Sequence, residues 1–150
     1  LSNPISAEIL SDPEGLNEVS IFVEDPISKL LLKTRPDRLL RDTVFDVKTT
    51  QDASPSGFLK ECVKYGYFLQ GAHYLYTCQL AGYDVSEFSF IACEKSAPYI
   101  SHLHVMGPEI MEWATSKLHE TLAIIAQAEE AVDYSTGWGD YTIIDKPKWL

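Results

Sequence analysis

Hydrophobic and polar positions change their spacing along the first third of the chain, and each change predicts an element. Residues 4–12 suit a short helix that the turn sequence DPEG at 12–15 would end. Residues 18–24 and 29–35 are rich in the β-branched, aromatic and aliphatic residues typical of strands, and residues 43–49 predict a third strand. Because only short turns separate these strands, we expect an antiparallel meander.

The spacing then becomes helical. Apolar residues recur every three or four positions from Phe58 to about Gly82, which predicts one long helix. Gly66 lies inside it, and a glycine costs about 1 kcal/mol relative to alanine in a helix, so we expect a kink or a close contact there. Residues 87–93 and 99–106 predict two more strands, and Pro108 suits the first turn of a helix that runs to about residue 132.

This order of strands, helix, strands and helix predicts an α/β or α+β domain with a mixed sheet flanked by helices. The sheet would start with the antiparallel meander. A chain of 150 residues suits one domain with one core. The sequence begins at Leu1 rather than at a methionine, so we expect it to lack an N-terminal helix or region.

Composition argues against several classes of protein. No apolar run approaches the roughly 18 residues of a membrane span, and the first ten residues lack the basic start and apolar stretch of a secretion signal. The three cysteines, Cys62, Cys78 and Cys93, are odd in number and show no Cys-x-x-Cys spacing. We therefore expect reduced, mostly buried thiols, no zinc site and a cytoplasmic location.

The formal net charge of −10 argues against a nucleic-acid partner, but the charges are unevenly distributed. Residues 1–28 contain six acidic residues and no basic one, whereas residues 29–48 contain six of the twelve basic residues. One short segment is therefore locally basic. Composition alone favours a solvated strand face as its explanation.

The basic segment contains the chain's only acidic-x-Lys triplet, Asp46-Val47-Lys48. Residues i and i+2 of a strand share a face, so Asp46 and Lys48 would project side by side. A tight turn at 41–42 would bring Asp37 alongside Asp46. Two neighbouring carboxylates repel unless a cation lies between them, and hard oxygen ligands suit Mg²⁺ or Mn²⁺. The alternative is a surface ion pair on a β-meander, which the triplet alone favours.

Such a site would give neighbouring groups a chemical role. The carbonyl of Val47 could complete a metal shell, and the ammonium of Lys48 could orient the attacking water or stabilise a pentavalent phosphorus centre. Gln70 and Tyr74 are four residues apart, so they share one helix face. Gln70 needs a polar partner in an otherwise apolar helix, and Tyr74 could stack on a nucleotide. For this pair alone, an ordinary amphipathic helix boundary is favoured.

Three motifs, in this order, resemble the PD-(D/E)xK nuclease superfamily: Arg35-Pro36-Asp37, Asp46-Val47-Lys48-Thr49-Thr50 and Tyr67-x-x-Gln70-x-x-x-Tyr74. The branch that they resemble is the RecE-type exonuclease (exonuclease VIII), related to phage recombination exonucleases. The resemblance runs from about residue 5 to the end and includes the tail, Pro147-Lys148-Trp149. It implies an α/β fold with a restriction-endonuclease-like core.

The resemblance also implies roles for individual residues. The metal ligands would be Asp37 and Asp46, and the catalytic lysine would be Lys48. The branch's Gln-x-x-x-Tyr pair would correspond to Gln70 and Tyr74. Weaker candidates are Thr49 and Thr50 near the phosphate path, and Glu18, expected on the first strand, in the metal surroundings.

By resemblance, the protein is a Mg²⁺-dependent exonuclease that hydrolyses linear duplex DNA from 5′ to 3′ in recombination. The resemblance further implies a ring-shaped homo-oligomer and a single-strand annealing recombinase as partner. A second hypothesis is a catalytically impaired DNA-binding or assembly module that retains the nuclease fold. A third is a plain structural domain with an ion-paired meander.

The sequence departs from the family in one respect. The family has an upstream helix that contributes a further metal ligand, usually His or Glu, and the 36 residues before Asp37 contain no histidine. Either Glu8 or Glu14 substitutes for it, or the ligand belongs to a missing N-terminal segment. His102 and His104 alternate on a predicted strand but have no third ligand nearby in the sequence, so we interpret them as surface histidines.

Overall fold

The structure, a computed structural model, describes residues 2–135 and residue 146. The predicted motif at 147–149 lies outside the described residues. The strands are β1 (Leu16–Asn17), β2 (Ile21–Glu24), β3 (Leu31–Thr34), β4 (Arg38–Leu40), β5 (Thr43–Thr50), β6 (Glu87–Glu94) and β7 (Ser101–Val105). The helices are α1 (Pro4–Ser11), α2 (Pro55–Tyr65), α3 (Tyr67–Leu80) and α4 (Pro108–Ala131).

The main sheet has five strands in the order β1-β4-β5-β6-β7. β5 and β6 run parallel and pair over eight residues, and the other neighbours are antiparallel. Parallel strands need a long crossover connection, and here α2 and α3 provide it. This mixed sheet with flanking helices confirms the predicted fold class.

The antiparallel start of the sheet is confirmed, but the predicted meander is divided between two sheets. β2 and β3 form a separate two-stranded sheet, while β1 and β4 pair beside β5. Sequence analysis missed β4 because this buried strand has only three residues and follows Pro36 almost directly. The tight turn at 41–42 is confirmed, since Leu40 pairs with Thr43.

The predicted helix over 58–82 is two helices that meet at Gly66. This residue has φ 68°, a left-handed conformation that glycine adopts without steric cost. It ends α2, and α3 begins at the next residue. The predicted kink is therefore confirmed, and it gives α3 a direction of its own over the sheet.

The two faces of the main sheet bury different residues. Val44, Phe88 and Phe90 pack with Phe58 and with residues of α3 on one face. Phe45 and Ile91 pack on the other face against α1. Because side chains alternate along β5, Asp46 and Lys48 belong to the face covered by α2 and α3.

The long helix α4 packs on α3 rather than on the main sheet. Ala114, Leu118 and Leu122 of α4 are buried with Leu32 of β3 and Ala72 of α3. Among the residues that the structure describes, no helix combines the length and apolar character needed to span a membrane.

Candidate active site

Asp46 and Lys48 form a close ion pair on the helix-covered face of β5. The Nζ atom of Lys48 lies 2.6 Å from Oδ2 of Asp46. Asp46 is only 4% exposed, so its charge is largely withdrawn from water. The surface ion pair that the triplet alone favoured is therefore wrong, because this carboxylate is buried.

Gln70 approaches Asp46 from α3. Its Nε2 atom donates a hydrogen bond to Oδ1 of Asp46 over 3.0 Å. Gln70 lies about one turn after Gly66, so the break between the helices sets how this amide meets the strand. The polar partner expected for Gln70 is thus the carboxylate of the Asp-x-Lys motif.

Asp37 lies beside Asp46 at the start of β4. Arg38 pairs with Phe45 in the antiparallel register, which places the preceding residue opposite Asp46. Oδ2 of Asp37 accepts a hydrogen bond from the backbone N–H of Val47 over 2.7 Å. The structure therefore brings together the two predicted carboxylates, the lysine and the glutamine.

The charges around Asp46 act on its protonation in opposite directions. Burial raises the pKa of Asp46 above its ordinary value, the hydrogen bond and charge of Lys48 lower it, and the nearby charge of Asp37 raises it again. The net pKa shift is upward. A cation held between the two carboxylates would relieve their repulsion and compensate for the burial.

The donor set fits a hard divalent cation. Oδ2 of Asp46 is buried and, in the described part of the chain, accepts no well-directed hydrogen bond, although the Lys48 ammonium lies beside it. The N–H and C=O groups of a strand residue point to the same edge, so the carbonyl of Val47 leaves β5 on the side of Asp37. Mg²⁺ commonly takes one or two carboxylates and keeps several waters.

The predicted upstream candidates, Glu8 and Glu14, do not provide a third ligand side chain. α1 packs on the opposite face of the sheet through Ile9 and Leu10, and Glu8 and Glu14 are exposed. Within residues 2–135, no cluster of three or more His, Cys, Asp or Glu side chains is arranged to hold a metal. Among the described residues, the candidate ligands are therefore two carboxylates and a backbone carbonyl.

Glu18 does not lie on a strand, contrary to expectation. It falls between β1 and β2 with φ 49°. Its side chain is 64% exposed and lies 3.6 Å from Arg35. Its backbone N–H donates to the carbonyl of Asp37 over 3.2 Å, so Glu18 supports Asp37 through the main chain while its carboxylate faces solvent.

The two threonines after Lys48 have different surroundings. Thr50 is buried, and its hydroxyl bonds to both backbone groups of Asp52, which stabilises the loop before α2. Thr49 is exposed. Tyr74 lies one turn after Gln70 and packs edge-on against Phe88, with ring centroids 6.4 Å apart.

Tyr67 contributes to the site in a way that sequence reasoning did not predict. The Nζ atom of Lys48 lies 4.8 Å from the centroid of its ring, within cation–π range. Burial raises the pKa of the Tyr67 hydroxyl, which therefore stays neutral. A usable signal was present, because Tyr67 precedes Gln70 by three residues and so shares its helix face.

The prediction of surface histidines is wrong for His104. Its ring stacks on Phe58 at 4.5 Å, and Nε2 lies 3.1 Å from the carbonyl oxygen of Ala53. Burial and the neighbouring His102 lower the pKa of His104, so it is neutral at physiological pH. His104 thus has a packing role.

The chain is similar to one family and to several solved structures. The PDDEXK-like domain of unknown function (DUF3799) matches residues 7–140, whereas no curated protein matches. A "Putative exonuclease" from Eubacterium rectale is 14% identical with a TM-score of 0.66, over 97% of this chain and 57% of that one. An alkaline exonuclease from Laribacter hongkongensis is 15% identical with a TM-score of 0.43, over 85% and 67% of the two chains.

The family match and the likeness to the Eubacterium rectale protein both cover most of this chain. The chain spans 57% of the length of the Eubacterium rectale protein, and that likeness shows the shared fold. The family match covers all four helices except the first residues of α1, and it includes the Asp37, Asp46-Val47-Lys48 and Gln70 positions. The chain therefore belongs to the PDDEXK-like domain family DUF3799, within the PD-(D/E)xK nuclease superfamily.

Proposed function

We propose that this domain is a divalent-metal-dependent nuclease that hydrolyses phosphodiester bonds of DNA. One observation carries the proposal. In a PD-(D/E)xK fold, the buried Asp46 contacts Lys48 and Gln70 directly and lies beside Asp37. We infer an acidic centre that holds a divalent metal, with the Lys48 ammonium positioned for a phosphate.

Asp37 and Asp46, with the carbonyl of Val47, would hold Mg²⁺ or Mn²⁺, which supplies an activated water and offsets phosphate charge. Gln70 holds the Asp46 carboxylate in one orientation through its amide. Lys48 places a positive charge where negative charge develops on the phosphate oxygens. Asp46, Val47 and Lys48 lie on β5 and Gln70 on α3, and Asp37 directly precedes β4, which keeps the geometry fixed.

Lys48 contacts one carboxylate and two aromatic rings, and these contacts suggest how it could change partner. Its ammonium lies on Oδ2 of Asp46 and over the ring of Tyr67. If Asp46 held a divalent cation, that cation would replace Lys48 as its counter-ion. The Tyr67 ring would keep the ammonium within the site, where it could bind a phosphate oxygen.

We further propose a more specific activity: 5′-to-3′ exonucleolytic digestion of linear duplex DNA in recombination. The order of the three motifs, which resembles RecE-type exonucleases, supports it, and the name of the Eubacterium rectale protein supports exonuclease activity alone. The same resemblance supports a ring-shaped homo-oligomer and a single-strand annealing recombinase as partner. Tyr74 and Thr49 are proposed to contact the DNA strand.

A catalytically impaired DNA-binding module is the second candidate. The observation that favours it is the small ligand set: among the residues described, only Asp37 and Asp46 provide carboxylates to the centre. Lys48 can still contribute affinity for a phosphate backbone where metal binding is too weak for turnover.

Incubation with end-labelled linear DNA and with circular DNA, in Mg²⁺ and in EDTA, tests these candidates. The nuclease proposal predicts Mg²⁺-dependent loss of linear DNA by the parent and none by Asp46→Ala. The label lost first gives the direction, and intact circles indicate an exonuclease. Binding without cleavage supports the second candidate. Neither binding nor cleavage at low salt contradicts both.

A further inference from the structure

A polar pocket of about 450 Å³ adjoins Tyr67 where α2 meets α3. This volume is within the range of about 300–1,000 Å³ common for small-molecule sites. The residues that line it come from the end of β5, from α2, from the junction of the helices and from the segment after β6: Thr49, Thr50, Gln51, Glu61, Tyr65, Tyr67 and Lys95. The pocket adjoins the nuclease centre through Tyr67, whose ring also lies close to the Lys48 ammonium.

The break at Gly66 places two tyrosine rings at this pocket. Tyr65 ends α2 and Tyr67 begins α3, and their rings are stacked with centroids 5.6 Å apart and an angle of 30°. Tyr65 nevertheless remains 55% exposed. An exposed aromatic ring at a polar pocket offers a face on which an unpaired base can stack.

The charges around these rings suit a phosphate. Lys48 lies 4.8 Å from the Tyr67 centroid, and Lys64 lies 4.9 Å from the Tyr65 centroid. Lys95 lines the pocket from the other side, against the single acid Glu61. In a chain with a net charge of −10, the ammonium groups of Lys48, Lys64 and Lys95 are the local partners for a phosphate near these rings.

We propose that this pocket binds the unpaired nucleotide next to the scissile phosphodiester, with its base against Tyr65 and its phosphate between Lys48 and Lys95. The proposal rests on the proposed nuclease function. A continuous series of contacts joins the centre to the pocket: Asp46 to Lys48 at 2.6 Å, Lys48 to Tyr67 at 4.8 Å and Tyr67 to Tyr65 at 5.6 Å.

The geometry also defines the substrate class. A base that is paired in a duplex presents only its edges, whereas an unpaired base offers a face for stacking. The pocket therefore takes a single-stranded end rather than intact duplex. Stacking accepts every base because each has a π-face, so the pocket selects for an unpaired nucleotide and not for a sequence.

Binding of fluorescent DNA hairpins, measured by anisotropy in the Asp46→Asn variant, tests the proposal without cleavage. One hairpin is blunt, and the others carry a four-nucleotide 5′ or 3′ overhang. We expect tighter binding of an overhang than of the blunt end. Tyr65→Ala should weaken overhang binding about 5- to 100-fold and blunt binding less than about twofold. Tyr65→Phe, which keeps the ring, and Tyr134→Ala, an exposed tyrosine after α4, should bind like the parent.

Equal affinity for blunt and overhanging ends, or unchanged overhang binding by Tyr65→Ala, overturns the proposal. An overhang of abasic sites gives the same test without a protein substitution, and it should lose the same affinity. Cleavage by the parent in Mg²⁺ is measured separately. A parent that cleaves but binds overhangs independently of Tyr65 contradicts only the pocket, whereas Tyr65-dependent binding without cleavage contradicts only the nuclease function.

Discussion

Two pairs of polar residues, Asp46 with Lys48 and His104 with His102, lie on the same face of the main sheet. Both pairs occupy the same two rows across the strands. Asp46 pairs with Phe90, which pairs with His104, and Lys48 pairs through Ala92 with His102. Both pairs have the i, i+2 spacing that the sequence analysis recognised. One pair forms the proposed catalytic centre, and the other forms part of the packing.

The helices above these rows explain the difference. α2 places Phe58 on His104, and the carbonyl of Ala53 lies at its ring nitrogen. α3 begins after Gly66 and offers an amide, Gln70, to Asp46. Burial disfavours the charged form of both side chains, since it raises the pKa of Asp46 and lowers that of His104. Only Asp46 has a second carboxylate and an ammonium beside it.

The largest expected effect comes from removing the central carboxylate. Asp46→Asn keeps the shape of the side chain but removes its charge, and Mg²⁺-dependent cleavage should fall at least about 1,000-fold. The matched change on the other pair, His104→Gln, should leave cleavage within about threefold because His104 takes no part in the chemistry. Initial rates on linear duplex DNA measure both. Comparable losses in the two variants would remove the distinction between the pairs.

Lys48→Met separates catalysis from metal binding. Cleavage should fall about 100- to 1,000-fold, the usual loss when one group that stabilises the transition state is removed. Mn²⁺ binding, measured by calorimetry, should be retained or become tighter, because the ammonium no longer occupies Oδ2 of Asp46. Lys117→Met, at an exposed ion pair of α4, is the control. Loss of Mn²⁺ binding by Lys48→Met counts against the role given to this lysine.

Gln70→Ala should have a smaller effect, because Gln70 acts through Asp46 as a positioning residue. Groups that orient a metal ligand are typically worth about 10- to 100-fold in metal affinity or activity. The Mg²⁺ concentration for half-maximal cleavage should rise by that factor. Gln79→Ala removes a similar hydrogen bond on the same helix, to the carbonyl of Val85, and should leave that concentration unchanged. An equal shift in both variants indicates general damage to α3.

The smallest effects are on stability, and they depend on pH in opposite directions. The raised pKa of Asp46 means that the parent loses stability as pH rises from the ordinary aspartate range through the folded-state pKa. Without metal, Asp46→Asn should therefore unfold at higher temperature near neutral pH, with a gain of about 0.5–2 kcal/mol. The gain should disappear at acidic pH.

His104 gives the opposite pH response. Its lowered pKa contributes stability above the ordinary histidine value, and this is lost as pH falls toward the folded-state pKa. His104→Gln should therefore flatten the decline in melting temperature below about pH 6.5. Thermal melts of both variants across this range measure the two signs, and parallel curves for parent and variants would argue that neither group is perturbed.

Much of the fold followed from local patterns. The periodicity of β5, β6 and α4 and the turn at 41–42 were sufficient to place these elements. The division of the strands between two sheets was not predictable. The three-residue β4 has too little periodicity to be distinguished from a turn. Gly66 predicted a kink, but only the tertiary structure shows that this kink separates two helices and orients Gln70.

Sequence analysis predicted which residues form the site better than it predicted the contacts between them. Strand spacing and turn position brought Asp37, Asp46 and Lys48 together, and the family resemblance added Gln70. Helix spacing from Gln70 pointed to Tyr67, but the role of His104 depends on which helix covers which row of the sheet. That is a long-range property, and no local sequence pattern encodes it.

The position of a bound metal tests the central claim most directly. Crystals of the protein soaked in Mn²⁺, measured at the manganese absorption edge, locate the ion by its anomalous scattering. We predict a peak between the carboxylates of Asp37 and Asp46, with the ammonium of Lys48 displaced from Oδ2, and no such peak in crystals of Asp46→Asn. A peak elsewhere, or none at these carboxylates with Lys48 still paired to Asp46, would contradict the account.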